Sequence, residues 1–422
     1  MIRRALTNTG WLLGARGVNA VLSLVYLALA TRALGVDRFG LFVFAFSFAQ
    51  VMVGMASFQT WQVIIRWGQD DEGRKTATGF ALALDLVTLV VGLTVGSLVL
   101  GFAGEWLILS DKARIPAFLF TVVSLLSIRS TPTGLLRLHD RYDLAAYADA
   151  TTSIVRAIGA VVAILVKPGL QSFLIVWSLA ELATAGAYWY FALRTEKIHV
   201  ERISLTRLPR ERRAAGEKPW SFVIGTSLSG VLAVASKQFL VLLVGVWGGA
   251  ALAGIYRVAS QLGEGLLKLA QALLRATYPE LVREPDKARQ IAGRMALIAM
   301  VTGVAVVVLA LLLGHWVILV VAGSAFVAAY IPMVILSAAA AMELAGASLE
   351  ALLVARGHAL TNFLIRATPA VIGLASLPWL IDAFGVAGAA LVVLTTSTVS
   401  VTGFVLMAQR THPVPGENAL AK

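Results

Sequence analysis

Apolar residues occur along this chain in long runs that are separated by short polar stretches. A helix needs about 20 apolar residues to cross the hydrocarbon core of a bilayer. Twelve segments meet that requirement: 10–31, 40–66, 78–103, 115–136, 144–166, 170–193, 219–246, 252–280, 290–314, 328–354, 361–381 and 386–409. The pattern therefore predicts an all-α integral membrane protein of about 12 transmembrane helices. The apolar segment 314–330 leaves open an extra partial helix.

The distribution of Lys and Arg between the loops predicts the orientation. With Met1 in the cytoplasm and alternating spans, most loop cations fall on the cytoplasmic side, above all in the basic segment 194–218. The outer loops receive few of them: Arg32, Arg38, Lys112, Arg114 and Lys167. Because cytoplasmic loops collect Lys and Arg, both termini are predicted to be cytoplasmic.

Composition supports a membrane protein and argues against a soluble domain. Hydrophobic residues make up 59% of the 422 residues, charged residues 14%, and the mean hydropathy is +0.83. A soluble domain could not bury that much apolar surface. The net charge of +12 suggests nucleic acid in a soluble protein, but here the cytoplasmic loops account for it. No nucleic-acid partner is expected.

The two halves of the chain resemble each other at a nearly constant offset. Gly40-Leu41-Phe42-Val43-Phe44-Ala45 matches Gly254-Ile255-Tyr256-Arg257-Val258-Ala259, 214 residues further on. Six spans precede the basic segment and six follow it. We therefore predict an N-terminal six-helix bundle at 1–193, a basic cytoplasmic linker at 194–218 and a C-terminal six-helix bundle at 219–422. Parallel repeats of this kind occur in transporters, with the substrate site between the halves.

The predicted eighth span carries a polar stripe. Its members are spaced by 4, 3, 4, 3 and 4 residues, which places them on one helix face: Arg257, Gln261, Glu264, Lys268, Gln271 and Arg275. A lipid-facing helix could not carry such a stripe. One alternative is that Glu264 and Lys268 merely neutralise each other as an i, i+4 pair. The stripe indicates a face that lines a cavity.

Span one repeats the polar pattern more weakly through Arg16, Asn19, Ser23 and Tyr26. At the offset of 214, Ser23 corresponds to Lys237 in span seven. Convergence of these helices would give a cavity with excess positive charge. Guanidinium groups in such a cavity suit an anionic substrate, and phosphate in particular.

Asp85 and Glu181 are isolated acids in apolar helices, and two interpretations of them stay open. Either residue could exchange an ion, a proton for example, and so couple transport to a gradient. Alternatively, each forms a structural ion pair with Arg16 or Arg156. Arg129 is expected near the cytoplasmic end of its span, where its side chain would reach water.

The sequence lacks the usual motifs of soluble catalysis. A Gly-rich phosphate-binding loop, Gly-x-Ser-x-Gly and His-Glu-x-x-His are absent, and the chain has no Cys. The five histidines form no metal-ligand pattern. The prediction is therefore a transporter, with no enzymatic activity, no catalytic residues, no metal and no cofactor.

Several stretches carry a resemblance to a known group. They are the sequence Gly-Val-Asp-Arg-Phe-Gly-Leu-Phe at 35–42, Gly-Ile-Tyr-Arg-Val-Ala at 254–259, Tyr-Pro-Glu-Leu at 278–281 and Phe-Gly-Val-Ala-Gly-Ala-Ala at 384–390. With the two matching halves, the chain resembles the polysaccharide and O-antigen flippases (Wzx-like) of the multidrug/oligosaccharidyl-lipid/polysaccharide (MOP) exporter superfamily. The resemblance covers nearly the whole chain.

The resemblance implies a MATE-like, V-shaped pair of six-helix bundles around a cationic cavity. It also implies a substrate, an undecaprenyl-pyrophosphate-linked oligosaccharide such as an O-antigen, capsule or exopolysaccharide repeat unit. This substrate would move from the cytoplasmic to the outer leaflet by alternating access, with proton or sodium coupling left open. One alternative is a MATE-like multidrug or cation antiporter, and a second is a membrane saccharide polymerase or ligase. Lipid II flippases usually have two further helices, for which this chain has no room.

Overall fold

The structure is a computed structural model that describes residues 2–102, 108–109, 111–281, 288–355 and 359–410. Within these ranges, side chains are not described throughout, and those of Arg16, Lys237, Lys268 and Arg275 lie outside the description. The described residues form thirteen α-helices: α1 (Ile2–Ala56), α2 (Thr60–Trp67), α3 (Asp71–Phe102), α4 (Asp111–Leu126), α5 (Ser130–Leu138), α6 (Tyr142–Val166), α7 (Leu170–Thr195), α8 (Arg207–Ala214), α9 (Pro219–Leu281), α10 (Ala288–Val321), α11 (Tyr330–Ala355), α12 (Ala359–Phe384) and α13 (Val386–Arg410).

Two of these helices are too long for a single crossing. α9 has 63 residues, which corresponds to about 95 Å at 1.5 Å per residue, whereas the hydrocarbon core is about 30 Å thick. α1 has 55 residues. Each contains one glycine with non-helical dihedral angles, Gly35 in α1 and Gly249 in α9, and each helix bends there into two spans.

The described residues contain ten candidate membrane spans. Two of them, Asn19–Trp67 and Gln238–Gly265, run across the bends at Gly35 and Gly249 and therefore hold parts of two crossings each. Counted in this way, the helices agree with the predicted twelve crossings. The all-α membrane fold is confirmed.

The segment 314–330 contains no further crossing. α10 continues to Val321, and a short 3₁₀ helix, Ser324–Ala329, leads into α11. The positive φ of 91° at Gly323 marks the turn between them. The apolar character of this segment thus belongs to the end of α10 and to a single 3₁₀ helix.

The two bends carry the same offset as the sequence repeat. Gly35 has φ 67° and ψ 178°, and Gly249, 214 residues further on, has φ 83° and ψ 175°. Both conformations fall in the region with positive φ that favours glycine. The repeat therefore extends from side-chain pattern to backbone conformation.

Glycines also allow a reciprocal contact between α1 and α9, just beyond the bends. A Cβ atom on Gly40 would overlap the carbonyl of Ala250, and a Cβ on Gly254 would meet the carbonyl oxygen of Val36 at 3.1 Å. Ala250 and Gly254 are the repeat equivalents of Val36 and Gly40. Each helix thus uses the same glycine to approach the same carbonyl of the other, as expected for two related segments that face each other across a local twofold axis.

The chain divides by packing into two compact units, Met1–Gly254 and Ile255–Lys422. In the first unit, α6 packs on α7 and α1, and α2 packs on α5 and α3. In the second unit, α11 packs against α10 and α13, and α13 against α12. This division differs from the predicted bounds 1–193, 194–218 and 219–422, which follow the sequence repeat and stay a prediction.

Gly40 gives a test of the reciprocal contact. Changing Gly40→Ala adds a methyl group where the Ala250 carbonyl already lies, so we expect a loss of about 1–3 kcal/mol and a lower melting temperature in detergent. Gly186→Ala is the matched control, since a Cβ at this helical position meets no atom within 4 Å. This control is expected to be neutral or slightly stabilising. Equal melting temperatures of the two variants would contradict the contact.

Candidate functional site

Two candidate membrane spans of the first unit, Asn19–Trp67 and Ala113–Leu138, are interrupted along their length. The helix that follows Gly35 ends at Ala56 and α2 begins at Thr60, and α4 ends at Leu126 while α5 begins at Ser130. Each interruption is a three-residue break, and the new helix starts without a hydrogen bond from its own N-cap side chain, Gln59 or Arg129. In hydrocarbon, the backbone groups that a break frees must find partners within the protein.

Asp85, in the middle of α3, contacts the first residues after both breaks and supplies a backbone partner at the second. Its carboxylate is 4% exposed. Oδ1 accepts a hydrogen bond from the Thr60 hydroxyl at 2.9 Å, while Oδ2 accepts from the Thr131 hydroxyl at 2.6 Å and from the Thr131 backbone N–H at 3.3 Å. Asp85 therefore caps α5 from a different helix and joins the first turns of α2 and α5.

Other side chains bind two further backbone groups at the breaks. The Ser130 hydroxyl accepts a hydrogen bond from the backbone N–H of Trp61 at 3.2 Å, so the start of α5 caps the start of α2. The indole N–H of Trp189 donates to the carbonyl of Ile128, inside the second break, at 2.8 Å. The two breaks are thus held against each other by contacts from α3, α5 and α7.

The electrostatics of this arrangement favour an acid at position 85. The N-terminus of a helix carries a partial positive charge, and the first turns of α2 and α5 both meet the Asp85 carboxylate. Among the described residues, the hydrogen-bond partners of Asp85 are hydroxyl and amide groups. Arg156, one of the two predicted cationic partners, contributes none of these bonds, and the side chain of Arg16 lies outside the description.

Glu181 forms a second charged cluster in the same unit. Its carboxylate accepts hydrogen bonds from Arg129 at 2.5 Å and from Arg156 at 2.8 Å. Glu181 is 2% exposed, and the guanidinium group of Arg156 lies within 6 Å of the ring centres of Tyr26, Phe46 and Trp177. Aromatic faces attract a guanidinium group and hold it in one orientation.

This cluster has two cations for one anion. A buried ion pair is costly unless further hydrogen bonds and good geometry offset its desolvation, and here the excess charge lies on Arg129 and Arg156. Arg129 was expected to reach water at the end of its span. The structure shows it instead in the second helix break, paired with Glu181 and with a side chain that is 36% exposed.

The predicted stripe of the eighth span is partly described. Arg257, Gln261 and Glu264 are half-buried, whereas their neighbours Val258, Ala259 and Leu262 are buried. The three polar residues thus share the more accessible face of α9 after its bend. Lys268, Gln271 and Arg275 lie outside the described side chains, as do Arg16 and Lys237. A common cavity formed by these residues stays a prediction.

Asn19, the remaining predicted cavity residue, is half-buried in α1. Its side-chain oxygen is buried and accepts no hydrogen bond from the described residues. Tyr26, about two turns further along the same face of this helix, packs edge-on against Trp177 at 5.3 Å between ring centres. This part of the polar face of span one therefore contacts the aromatic side chains around Arg156.

The sequence prediction missed Thr60, Ser130 and Thr131, because each looks like an ordinary small polar residue in a long apolar segment. A signal was nevertheless present in Ser130-Thr131-Pro132. Hydroxyl residues followed by a proline are typical of the first turn of a helix, and this motif marks the start of α5. No group of three or more potential metal ligands occurs among the described residues.

These features define a class. The chain is a multi-pass membrane protein whose spans are interrupted and whose interior holds charged side chains, an arrangement that is characteristic of transport proteins and uncommon in purely structural helix bundles.

Comparison with known proteins gives the family. Residues 5–283, more than half of the chain, match the model of the family described as polysaccharide biosynthesis protein. A relative, "Inner membrane protein YghQ" of Escherichia coli (strain K12), is 30% identical over 341 residues, which cover 78% of this chain and 95% of the relative. The chain belongs to the polysaccharide biosynthesis protein family.

Solved structures agree in fold. An inward-facing multidrug resistance MATE family transporter of the MOP superfamily matches with a TM-score of 0.67 and 17% identity, over 92% of this chain and 94% of that one. Lipid II flippase MurJ matches with a TM-score of 0.63 and 12% identity, over 98% of this chain and 88% of that one. A mutant of the Vibrio cholerae MATE transporter VcmN matches with a TM-score of 0.61 and 15% identity, over 97% of this chain and 96% of that one. The predicted MATE-like fold is confirmed.

Asp85→Ala tests the role of this residue at the breaks. The change leaves the Thr131 N–H and two hydroxyl groups without their buried acceptor, so we expect a loss of about 2–3 kcal/mol or more. Thr88→Val, one turn further along α3, is the control, because the buried Thr88 hydroxyl has no hydrogen-bond partner among the described residues. The melting temperatures of the two variants in detergent measure their loss of stability. A Thr88→Val variant that melts as early as Asp85→Ala would contradict the assignment.

Proposed function

We propose that this protein is a flippase that moves a polyprenyl-diphosphate-linked oligosaccharide across the bacterial inner membrane by alternating access. The observation that carries the proposal is the cluster in which two guanidinium groups, those of Arg129 and Arg156, share the single carboxylate of Glu181. Membership of the polysaccharide biosynthesis protein family supports this substrate class. The name of the relative YghQ supports the inner membrane as the location.

The proposed cavity combines cationic and polar residues from both repeats. Its proposed members are Arg16, Asn19, Lys237, Arg257, Gln261, Glu264, Lys268 and Arg275. The half-buried positions of Arg257, Gln261 and Glu264 on one face of α9 support this assignment. In the proposal, their donors bind the diphosphate and sugar groups, while the prenyl chain stays in the surrounding lipid.

A multidrug or cation antiporter is the second candidate, because MATE transporters share the fold. A cation-selective cavity requires acids that are available to the substrate. In the first unit, both acids of the charged interior, Asp85 and Glu181, already accept hydrogen bonds from protein donors. Because both acids are already engaged by protein donors, the described interior favours an anionic substrate over a cationic one.

The deletion strain provides the test of the substrate. Without this protein we expect lipid-linked saccharide units to accumulate in the inner leaflet and surface polysaccharide to be lost. Lipid extraction with mass spectrometry measures the first effect, and complementation with the wild-type gene is the control. Normal surface polysaccharide together with altered sensitivity to cationic drugs would favour the antiporter instead.

We further propose that Glu181 participates in coupling to an ion gradient, with Asp85 as the second candidate. Uptake of a proton by the Glu181 carboxyl group would break its ion pairs with Arg129 and Arg156. Those pairs join α7 to α6 and to the break before α5, so a proton at this position would change the packing of three helices at once. This link between charge and packing supports Glu181 as the better candidate of the two.

Glu181→Gln is expected to abolish gradient-driven transport in liposomes, because it leaves two buried guanidinium groups without their partner. The double variant Glu181→Gln/Arg156→Gln removes one of those cations and should restore much of the melting temperature. If Glu181 couples transport to the gradient, the double variant stays inactive despite its recovered stability. Gradient-driven transport by the double variant would show that Glu181 is a structural partner alone.

A further inference from the structure

The basic linker between α7 and α9 is folded onto the end of the first unit. Leu208, in the short helix α8, is fully buried among Val63, Trp67, Phe80 and other apolar residues that belong to the membrane-spanning segments. The backbone of Arg202 lies against α3, where a Cβ on Gly79 would overlap the Arg202 carbonyl. The linker is therefore packed against α2 and the N-terminal half of α3.

Ion pairs fix the linker in this position and use its acids. Glu217 contacts Arg66 at 3.5 Å and the Trp67 indole N–H at 2.9 Å. At the end of α7, Glu196 pairs with Arg74 at 3.0 Å and contacts His139 at 3.1 Å. Because these carboxylates bind partners inside the protein, they do not neutralise the cations on the outer face of the linker.

α8 has two faces of opposite character. Leu208 and Pro209 are buried, and Arg212 points to the same side, 3.7 Å from Glu217. The opposite side presents Arg207, Arg210 and Arg213 to the surroundings. Arg207 pairs with Glu211 at 3.2 Å, whereas Arg210 and Arg213 form no ion pair within the described part of the chain.

The same linker also exposes apolar side chains. Val200 is 70% exposed and Leu205 is 37% exposed. The interface of a bilayer accepts both chemistries, since apolar groups enter the acyl region and guanidinium groups stay among the phosphates. Further exposed cations lie towards the two ends of the linker sequence: Arg194, Lys197 and Lys218.

We propose that the exposed face of the linker, Arg207, Arg210 and Arg213 with Val200 and Leu205, is a binding surface for the headgroups of anionic phospholipids. Both adjoining helices, α7 and α9, are membrane spans, so the leaflet at this end of the protein is always within reach of the linker. Guanidinium groups bind phosphate through paired hydrogen bonds. Basic residues next to a span attract anionic lipids by about 1 kcal/mol each, or about fivefold.

The test compares two double variants that remove the same charge. Arg210→Gln/Arg213→Gln alters the linker face, and Arg38→Gln/Lys167→Gln alters exposed cations that are predicted to lie on the other side of the membrane. Full-length protein is released from nanodiscs of mixed phosphatidylglycerol and phosphatidylcholine, and native mass spectrometry counts the retained lipids. We expect the linker variant to lose preference for phosphatidylglycerol by about fivefold for each charge, and the control to keep it.

Two further measurements keep the proposal falsifiable. Arg210→Lys/Arg213→Lys should retain most of the preference, and equal melting temperatures should show that all variants are folded. Unchanged preference in the linker variant, or the same loss in both double variants, would overturn the proposal. Displacement of the bound lipid by a polyprenyl diphosphate, with no preference for phosphatidylglycerol, would assign the surface to the substrate instead. No readout involves transport, so the result is independent of the proposed flippase activity.

Discussion

The constraint on which this structure depends is that hydrocarbon offers no partner to a free backbone group. A transport protein gains from interrupted helices, yet every interruption exposes N–H and C=O groups that must be satisfied by the protein itself. Asp85 meets this requirement at the second break, where it accepts from the Thr131 N–H, and the same carboxylate also binds the Thr60 hydroxyl in the first turn of α2. A single charged residue thereby fixes the relative position of two interrupted spans.

Buried charges, like free backbone groups, must find their partners within the protein. Glu181 binds two arginines from different segments, and aromatic rings from α1 and α7 enclose one of them. The unit thus holds its charges within a network instead of exposing them to lipid. Such a network ties the charge of one residue to the packing of several helices, and this connection supports the proposed coupling to a gradient. The two arginines that share one carboxylate likewise support the proposed phosphate-containing substrate.

Glycine has two different roles in the repeat. Gly35 and Gly249 supply positive φ angles at which two long helices turn, and Gly40 and Gly254 allow those helices to approach each other's carbonyl groups. The offset of 214 residues therefore relates the bends and the close contacts of the two helices as well as their similar residues. Because a side chain at either contact would displace backbone atoms, these positions preserve the symmetry of the fold more strictly than the apolar residues around them.

The sequence by itself determined the number of crossings, the repeat and the presence of buried charges, because membrane insertion depends on hydrophobicity summed locally along the chain. Only the tertiary structure decided where the helices break and which partner each charge takes. Thr131 lies 46 residues from Asp85, and Arg129 lies 52 residues from Glu181. No local pattern contains these pairings, since they arise when α3, α5 and α7 pack together and leave each buried polar group a single set of neighbours.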